Sequence, residues 1–274
     1  MPRLPRPRKG RDGTLKTSSP SAALRWALPS WTTPGTAADN ARLLEGRVPE
    51  IGLCFFETAA CLAYGEKDIP PAGLRGWTQD RPARPMRYHV HLPADFDWES
   101  QTPARLAETA FAVFAKAERL APDKAVLHPP ADMPSLRAST LLAGFIQAWR
   151  RLSPARVLLE NIRGAMLCDL DPALFGDEGF GVCLDAGHLM GYRQDALLAS
   201  PLPRQAELFH WSAPGGGDRH RPLTELLAQE RETAVRILGM AKPSAVHLIE
   251  VFDLEGALAS YPVLTELLRA AQGE

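Results

Sequence analysis

Long hydrophobic runs are missing from this chain of 274 residues. No apolar stretch approaches the ~20 residues of a membrane-spanning helix, and no apolar core precedes a small-residue cleavage site near the start. A cytoplasmic location without a membrane partner is the expectation. An excess of either charge is missing too: Lys+Arg 31 against Asp+Glu 32 gives a formal net charge of −1, so no global field draws the chain to nucleic acid. Cysteine is scarce. The four, Cys54, Cys61, Cys168 and Cys183, form no CxxC pair, which argues against a disulfide framework and reads as buried small hydrophobes.

What is present is a repeated pattern of short apolar runs. Met1–Ser21 is rich in Pro, Arg, Ser and Thr and cannot bury a core, so it reads as a disordered basic tail. From residue 22 to 274 a single barrel domain is expected. Leu24–Leu28 and Ile51–Phe56 fit its first two strands. Six further runs fit the rest: Tyr88–Leu92, Ala125–Leu127, Val157–Leu159, Gly181–Leu184, Glu207–Phe209 and Val246–Ile249. Each is continuously apolar, as a strand covered on both faces should be. Between them lie helical patterns at Thr36–Leu44, Leu136–Arg151, Leu223–Leu238 and Leu264–Ala271. The clearest helix has Thr102 as N-cap, Pro103 in its first turn, and Leu106, Ala110, Val113, Ala117 and Leu120 on one face. Alternating strand and helix predict an α/β fold, a (β/α)8 TIM barrel, for which the length is about right. The segment from Tyr64 to Pro85, broken by Gly65, Pro70, Pro71, Gly73, Gly76 and Pro82, predicts a long loop with a binding role or a lid.

The six runs share a second property: metal-ligand residues stand at or just beyond their ends. In order these are His91, His128, Glu160, Asp185, His188, His210, Asp218, His220 and Glu250. A parallel barrel assembles its active site from the C-terminal ends of several strands. His89 shares the strand face of His91 by alternation and is expected to support it; His247 sits mid-strand, away from this mouth. Asp185 and His188 leave one turn together, and Asp218 and His220 are close enough to clamp one ion. Pro214-Gly215-Gly216-Gly217 is either a flexible connector or a backbone able to approach a phosphate. Imidazoles with carboxylates suit Zn, Mn, Fe or Co better than Mg or Ca. The set exceeds what one ion needs, so two or three divalent transition metal ions sharing carboxylates are expected, a cluster suited to phosphate-ester hydrolysis. Trp26 and Trp211 are expected to pack the core, with the mouth as the alternative.

The segments Phe180-Gly-Val-Cys-Leu-Asp185-Ala-Gly-His188, Leu159-Glu160-Asn161, Leu127-His128-Pro129, Asp218-Arg219-His220 and Ile249-Glu250 resemble metal-binding motifs of the endonuclease IV and xylose-isomerase-like TIM barrels. The resemblance implies one metal on His91 and His128, a second on Asp185, His210 and Glu250, Glu160 bridging them, and a third on His188, Asp218 and His220. Glu160, Glu250 and Asp185 would carry the catalytic role. Sugar and sugar-phosphate isomerases and epimerases of this superfamily resemble the chain at Glu160, Asp185, His210 and Glu250 alone, and the further ligands favour the phosphodiesterase branch. An endonuclease IV-like DNA repair role fits less well, because the chain lacks long basic, aromatic insertions.

A narrower resemblance is carried by Glu50-Ile-Gly-Leu-Cys-Phe-Phe-Glu57, Cys61-Leu-Ala-Tyr-Gly-Glu66, Tyr88-His-Val-His-Leu-Pro93 and Leu184-Asp-Ala-Gly-His-Leu-Met-Gly-Tyr192. These are similar to bacterial cobamide-remodelling phosphodiesterases, of AP endonuclease 2 type. That resemblance implies hydrolysis of the phosphoribosyl bond in the nucleotide loop of a cobamide, giving cobinamide phosphate and a riboside. A corrinoid is then the expected small-molecule substrate. The substrate-side residues it suggests are Glu57, Tyr64, Glu66, His89, Gly216 and Arg219.

Overall fold

The computed structural model describes residues 24–78, 84–216 and 219–273. Eight strands pair in parallel and close on themselves: β1 Trp26–Pro29, β2 Glu50–Cys54, β3 Arg87–His91, β4 Lys124–Leu127, β5 Arg156–Glu160, β6 Gly181–Asp185, β7 Leu208–Trp211 and β8 Val246–Ile249. Closure sets Trp26 of β1 opposite His247 of β8. This is the (β/α)8 barrel, and its strands fall within a few residues of the apolar runs. The expected basic tail, Met1–Ser21, and the expected ligand Asp218 lie outside the described residues.

The strands read as largely apolar between their ends because both faces are covered. Ala27, Val126, Leu158, Cys183, Leu208, Val246 and Leu248 fill the barrel interior. The opposite faces pack under the helices α1 Ala37–Leu44, α2 Thr58–Ala63, α3 Pro103–Phe114, α4 Ser135–Leu152, α5 Ala186–Gly191, α6 Asp195–Ala199, α7 Ala228–Leu238 and α8 Leu254–Gln272. Thr36 opens α1 with a reciprocal cap, its hydroxyl accepting from Asp39 N while Asp39 Oδ2 accepts from Thr36 N, both at 3.1 Å. On α4, Phe145 and Trp149 are fully buried, and the Trp149 indole donates to Ala155 O at 2.9 Å. Burial of each such ring contributes about 2 kcal/mol. No helix among the described residues is long and apolar enough to cross a membrane.

Several elements differ from the sequence reading, each for a local reason. Helix α8 begins ten residues before Leu264 because Asp253 caps it, accepting from Gly256 N at 2.7 Å, and Pro262 is accommodated inside it. Between β5 and β6 the chain makes only 3₁₀ turns, at Leu167–Asp169 and Pro172–Leu174, in place of a helix. The loop after Tyr64 divides: its start stays near the mouth, whereas Arg75–Gly76 and Arg84–Pro85 form a small antiparallel ribbon. Gly46 N donates to Arg75 O and Trp77 N to Val48 O. The ribbon thus rests on the chain entering β2, at the N-terminal end of the barrel, which rules out a lid for that part.

Candidate metal centre

The register of the sheet decides which side chains meet. Glu160 ends β5, Asp185 ends β6 opposite His210 of β7, and His91 ends β3. His128 and Glu250 follow β4 and β8 directly. All six side chains enter the mouth, where Glu160 is the hub. Its Oε2 lies 3.1 Å from His91 Nε2 and 3.5 Å from His128 Nε2; its Oε1 lies 3.4 Å from His210 Nδ1 and 3.5 Å from His188 Nδ1. Glu250 Oε2 is 3.0 Å from His210 Nδ1 and 3.6 Å from His220 Nδ1. Glu160, Asp185, His210 and Glu250 are essentially inaccessible to solvent, and His128 is half-buried.

Local structure explains the three-residue spacing of Asp185 and His188. Asp185 is at once the last residue of β6 and the N-cap of α5, with Oδ1 accepting from His188 N at 2.6 Å. The intervening Gly187 admits no side chain, since a Cβ there would lie 2.3 Å from Ser212 Oγ. Ring orientation is set from behind. His91 Nδ1 lies 2.8 Å from Leu92 O, and His188 Nδ1 lies 2.9 Å from Asn161 O.

Electrostatics tie the carboxylates to the imidazoles around them. Burial pushes the Glu160 carboxyl up, but His210 and His128 outweigh it and hold the group well below the carboxylate range. Glu250 behaves alike: burial is opposed by His210 and His220, and its pKa falls to about 2. Asp185 goes the other way, to about 6, through burial and the charges of Glu160 and Glu250, against the pull of His188 and His220.

A metal ion fits these residues on an observation independent of their identity. Asp185 Oδ2, both ring nitrogens of His210 and His220 Nδ1 are buried without a hydrogen-bond partner among the described residues. Leaving such atoms unpaired costs roughly 1–3 kcal/mol each. His210 Nδ1 and Glu250 Oε2 are close but not aligned as donor and acceptor, as expected of lone pairs converging on a shared cation. Four overlapping sets of ligand atoms among the described residues each lie within 4.8 Å of one another; His91/His128/Glu160 and Glu160/Asp185/His210/Glu250 share Glu160, His91/His210/Glu250 links them, and a fourth joins the Cys183 thiol to Glu160 and His210. His188 and His220 flank them, ring centroids 5.6 Å apart.

The remaining sequence candidates scatter. Glu57 and Tyr64 line a side cleft, whereas Glu66 is exposed and lines neither the cleft nor the mouth. Gly216 is exposed, and Arg219 borders a small crevice beside His188 and His220. His89 is a correction: although it shares the face of His91, it lies deeper in the barrel and bonds Glu50 Oε1 through Nδ1 at 2.9 Å, away from the metal-ligand sets. Trp26 and Trp211 are both core residues; Trp26 packs on Tyr261 at 4.2 Å between ring centroids, and the Trp211 indole donates to His247 Nδ1 at 3.0 Å. Of the cysteines, Cys61 and Cys183 are buried, but Cys54 opens on the side cleft and Cys168 lies in a surface 3₁₀ turn.

Sequence reasoning missed two groups. Trp31, Phe56 and Phe252 form an aromatic rim, with centroids 5.8–5.9 Å apart, and Phe56 and Phe252 set their edges against His91 and His220. Trp31 and Phe56 each stand two residues beyond a strand end and Phe252 three, a signal open to reading. Asn161, fully buried, donates to Asp185 O and Gln194 Oε1, both at 2.9 Å, and accepts from Asp185 N at 2.8 Å. It stands beside Glu160 in the chain and fastens the end of β6.

No protein-family model and no curated protein sequence matches the chain. Solved structures do. A D-tagatose 3-epimerase-like protein superposes with TM-score 0.63 at 14% identity, covering 91% of this chain and 99% of that one. Endonuclease IV from Thermus thermophilus gives 0.55 at 16%, covering 90% and 100%. The IOLI protein, described with a bound zinc atom, gives 0.50 at 11%, covering 91% and 96%. At these identities the likeness is one of fold, the barrel shared by sugar epimerases and endonuclease IV, and fold alone does not select a reaction.

Proposed function

We propose that this chain is a metal-dependent phosphodiesterase that hydrolyses the phosphoribosyl bond in the nucleotide loop of a cobamide. The observation carrying the reading is the excess of ligands around Glu160. One catalytic zinc is satisfied by three protein groups; here two convergent sets share a carboxylate, and two further imidazoles flank them. His91 and His128 would hold one ion, Asp185, His210 and Glu250 a second with Glu160 between, and His188, His220 and Asp218 a third. Zinc suits the imidazole–carboxylate donor set, and a zinc atom is described in the IOLI protein of this fold. Divalent ions held there would supply Lewis acidity toward a phosphate ester and lower the pKa of water.

The chain's own groups prepare that chemistry. Glu160 and Glu250, kept ionised by the imidazoles about them, offer their oxygens to cations in the mouth. The rim of Trp31, Phe56 and Phe252 borders a mouth cavity of about 220 Å³. The substrate assignment rests on the Cys54-Phe-Phe-Glu57 and Tyr64-Gly-Glu66 segments and on a second cleft opening beside the mouth.

A sugar or sugar-phosphate isomerase or epimerase is the second reading, favoured by the self-sufficient set Glu160/Asp185/His210/Glu250. Two measurements separate the readings. Protein purified without chelator is expected to carry two or three transition-metal ions per chain. Given a cobamide under reducing, anaerobic conditions, it is expected to release cobinamide phosphate and a free riboside. A single ion with full ketose–aldose interconversion would replace the proposal with the isomerase, and an untouched cobamide with efficient nicking of abasic DNA would replace it with a repair enzyme.

A further inference from the structure

Beside the metal mouth lies a cleft of about 320 Å³ between the β1–α1 turn and α2, sharing Trp31 and Phe56 with the mouth. Its lining has two physical peculiarities. Trp31 is 54% exposed, the one tryptophan so placed among the described residues, although Phe56 and Phe252 stand within 6 Å of its ring. An indole held at a cleft edge by two other rings offers stacking area at low entropic cost. Second, Glu57 and Asp68 line the cleft and no Lys, Arg or His does. Those carboxylates repel a phosphate or carboxylate and accept hydrogen bonds from N–H or O–H donors.

We infer that this cleft is a binding subsite for an uncharged, planar nitrogen heterocycle carried on a ribose, stacked against Trp31 and Phe56 while the attached phosphate lies in the metal mouth. The inference rests on the phosphodiesterase reading for the neighbouring site, and it names the half of the substrate that this side holds. The cleft's volume suits a nucleoside-sized group at the small end of ligand sites, and a corrin macrocycle does not fit within it. The leaving riboside therefore occupies the cleft and the corrin side of the substrate remains over the open mouth.

The probe is benzimidazole riboside, with methyl riboside as the ringless control, titrated calorimetrically into the full chain as purified. Stacking on an aromatic side chain is worth roughly 1–3 kcal/mol per base, so benzimidazole riboside is expected to bind at least about five-fold more tightly than the control. Trp31→Ala should abolish that preference and Trp31→Phe should restore most of it, with unchanged melting temperatures showing that the exposed position does not support the fold. Equal binding of the two probes by the wild type, or a preference indifferent to Trp31→Ala, overturns the subsite. The two proposals fail separately. If the preference depends on Trp31 but cobamides are not hydrolysed, the subsite stands and the phosphodiesterase falls. If cobamides are hydrolysed with a KM untouched in Trp31→Ala, the reverse holds.

Discussion

Asn161→Ala tests whether the geometry of the centre is imposed from behind. The wild-type amide makes three bonds in a site closed to solvent: to Asp185 O and Gln194 Oε1 at 2.9 Å, and from Asp185 N at 2.8 Å. Truncation leaves the buried Asp185 N and O without those partners, at roughly 1–3 kcal/mol apiece, while Gln194 retains its bond to Ile162 O. The expected loss is about 3–5 kcal/mol, read by urea unfolding. Gln194→Ala removes one of these bonds and the bond to Ile162 O, and should cost about 2 kcal/mol. Because Asp185 and His188 both hang from the end of β6 that Asn161 fastens, metal content of the folded Asn161→Ala protein should fall as well. A variant within about 1 kcal/mol of wild type with its full metal complement would show that β6 holds Asp185 in place unaided and refute the reasoning.

Glu160→Gln keeps the shape of the hub but removes its charge, and should lose bound metal together with nearly all turnover, whereas His220→Ala should mainly lower the metal count by elemental analysis; wild-type values in both would remove these residues from the ligand set. Burial lowers the His247 pKa from 6.5 to about 4. A buried ring that resists protonation makes the unfolded state the better proton binder, so stability is lost as pH falls from 6.5 toward 4, by about 3 kcal/mol at 1.36 kcal/mol per pKa unit. Denaturation curves of His247→Gln should lack that part of the pH dependence, and an identical pH profile would show that His247 titrates normally.

The barrel and its mouth were legible because a buried parallel strand leaves a continuous apolar run and the catalytic groups of such a barrel stand at its ends. Asp185, His210 and Glu250 could be located by that rule alone. The partner of a side chain below the mouth was not legible. His89 precedes His91 on the same face and so lies lower, but only the folded barrel, with Gly52 of β2 opposite His89, shows its ring bonded to Glu50 and not backing His91. A Cβ on Gly52 would meet His89 Nε2 at 2.8 Å, so the glycine is what lets that ring lie flat within the barrel. The Arg75–Gly76 ribbon was illegible for a similar reason: proline and glycine mark a loop without telling which end of the barrel it visits.

Two polar layers thus occupy one barrel, and the apolar layer between them explains why only one reads as a reaction site. Below, Glu50 is buried among His89, Arg25 and Arg87, with charged nitrogens of the two arginines 3.6 and 3.4 Å from Oε2; burial opposes its charge, but these partners hold its pKa down. Cations of the chain itself balance that carboxylate. Above the layer of Val126, Leu158, Cys183 and Leu208, no Lys or Arg ion pair among the described residues reaches Glu160, Asp185 or Glu250; imidazoles surround them, joined by the Cys183 thiol beside Glu160 and His210. Three carboxylates in a solvent-poor space, with ring nitrogens lacking acceptors, form a set that cations from outside could complete. That difference in completion, rather than the count of histidines, separates the structural layer from the site.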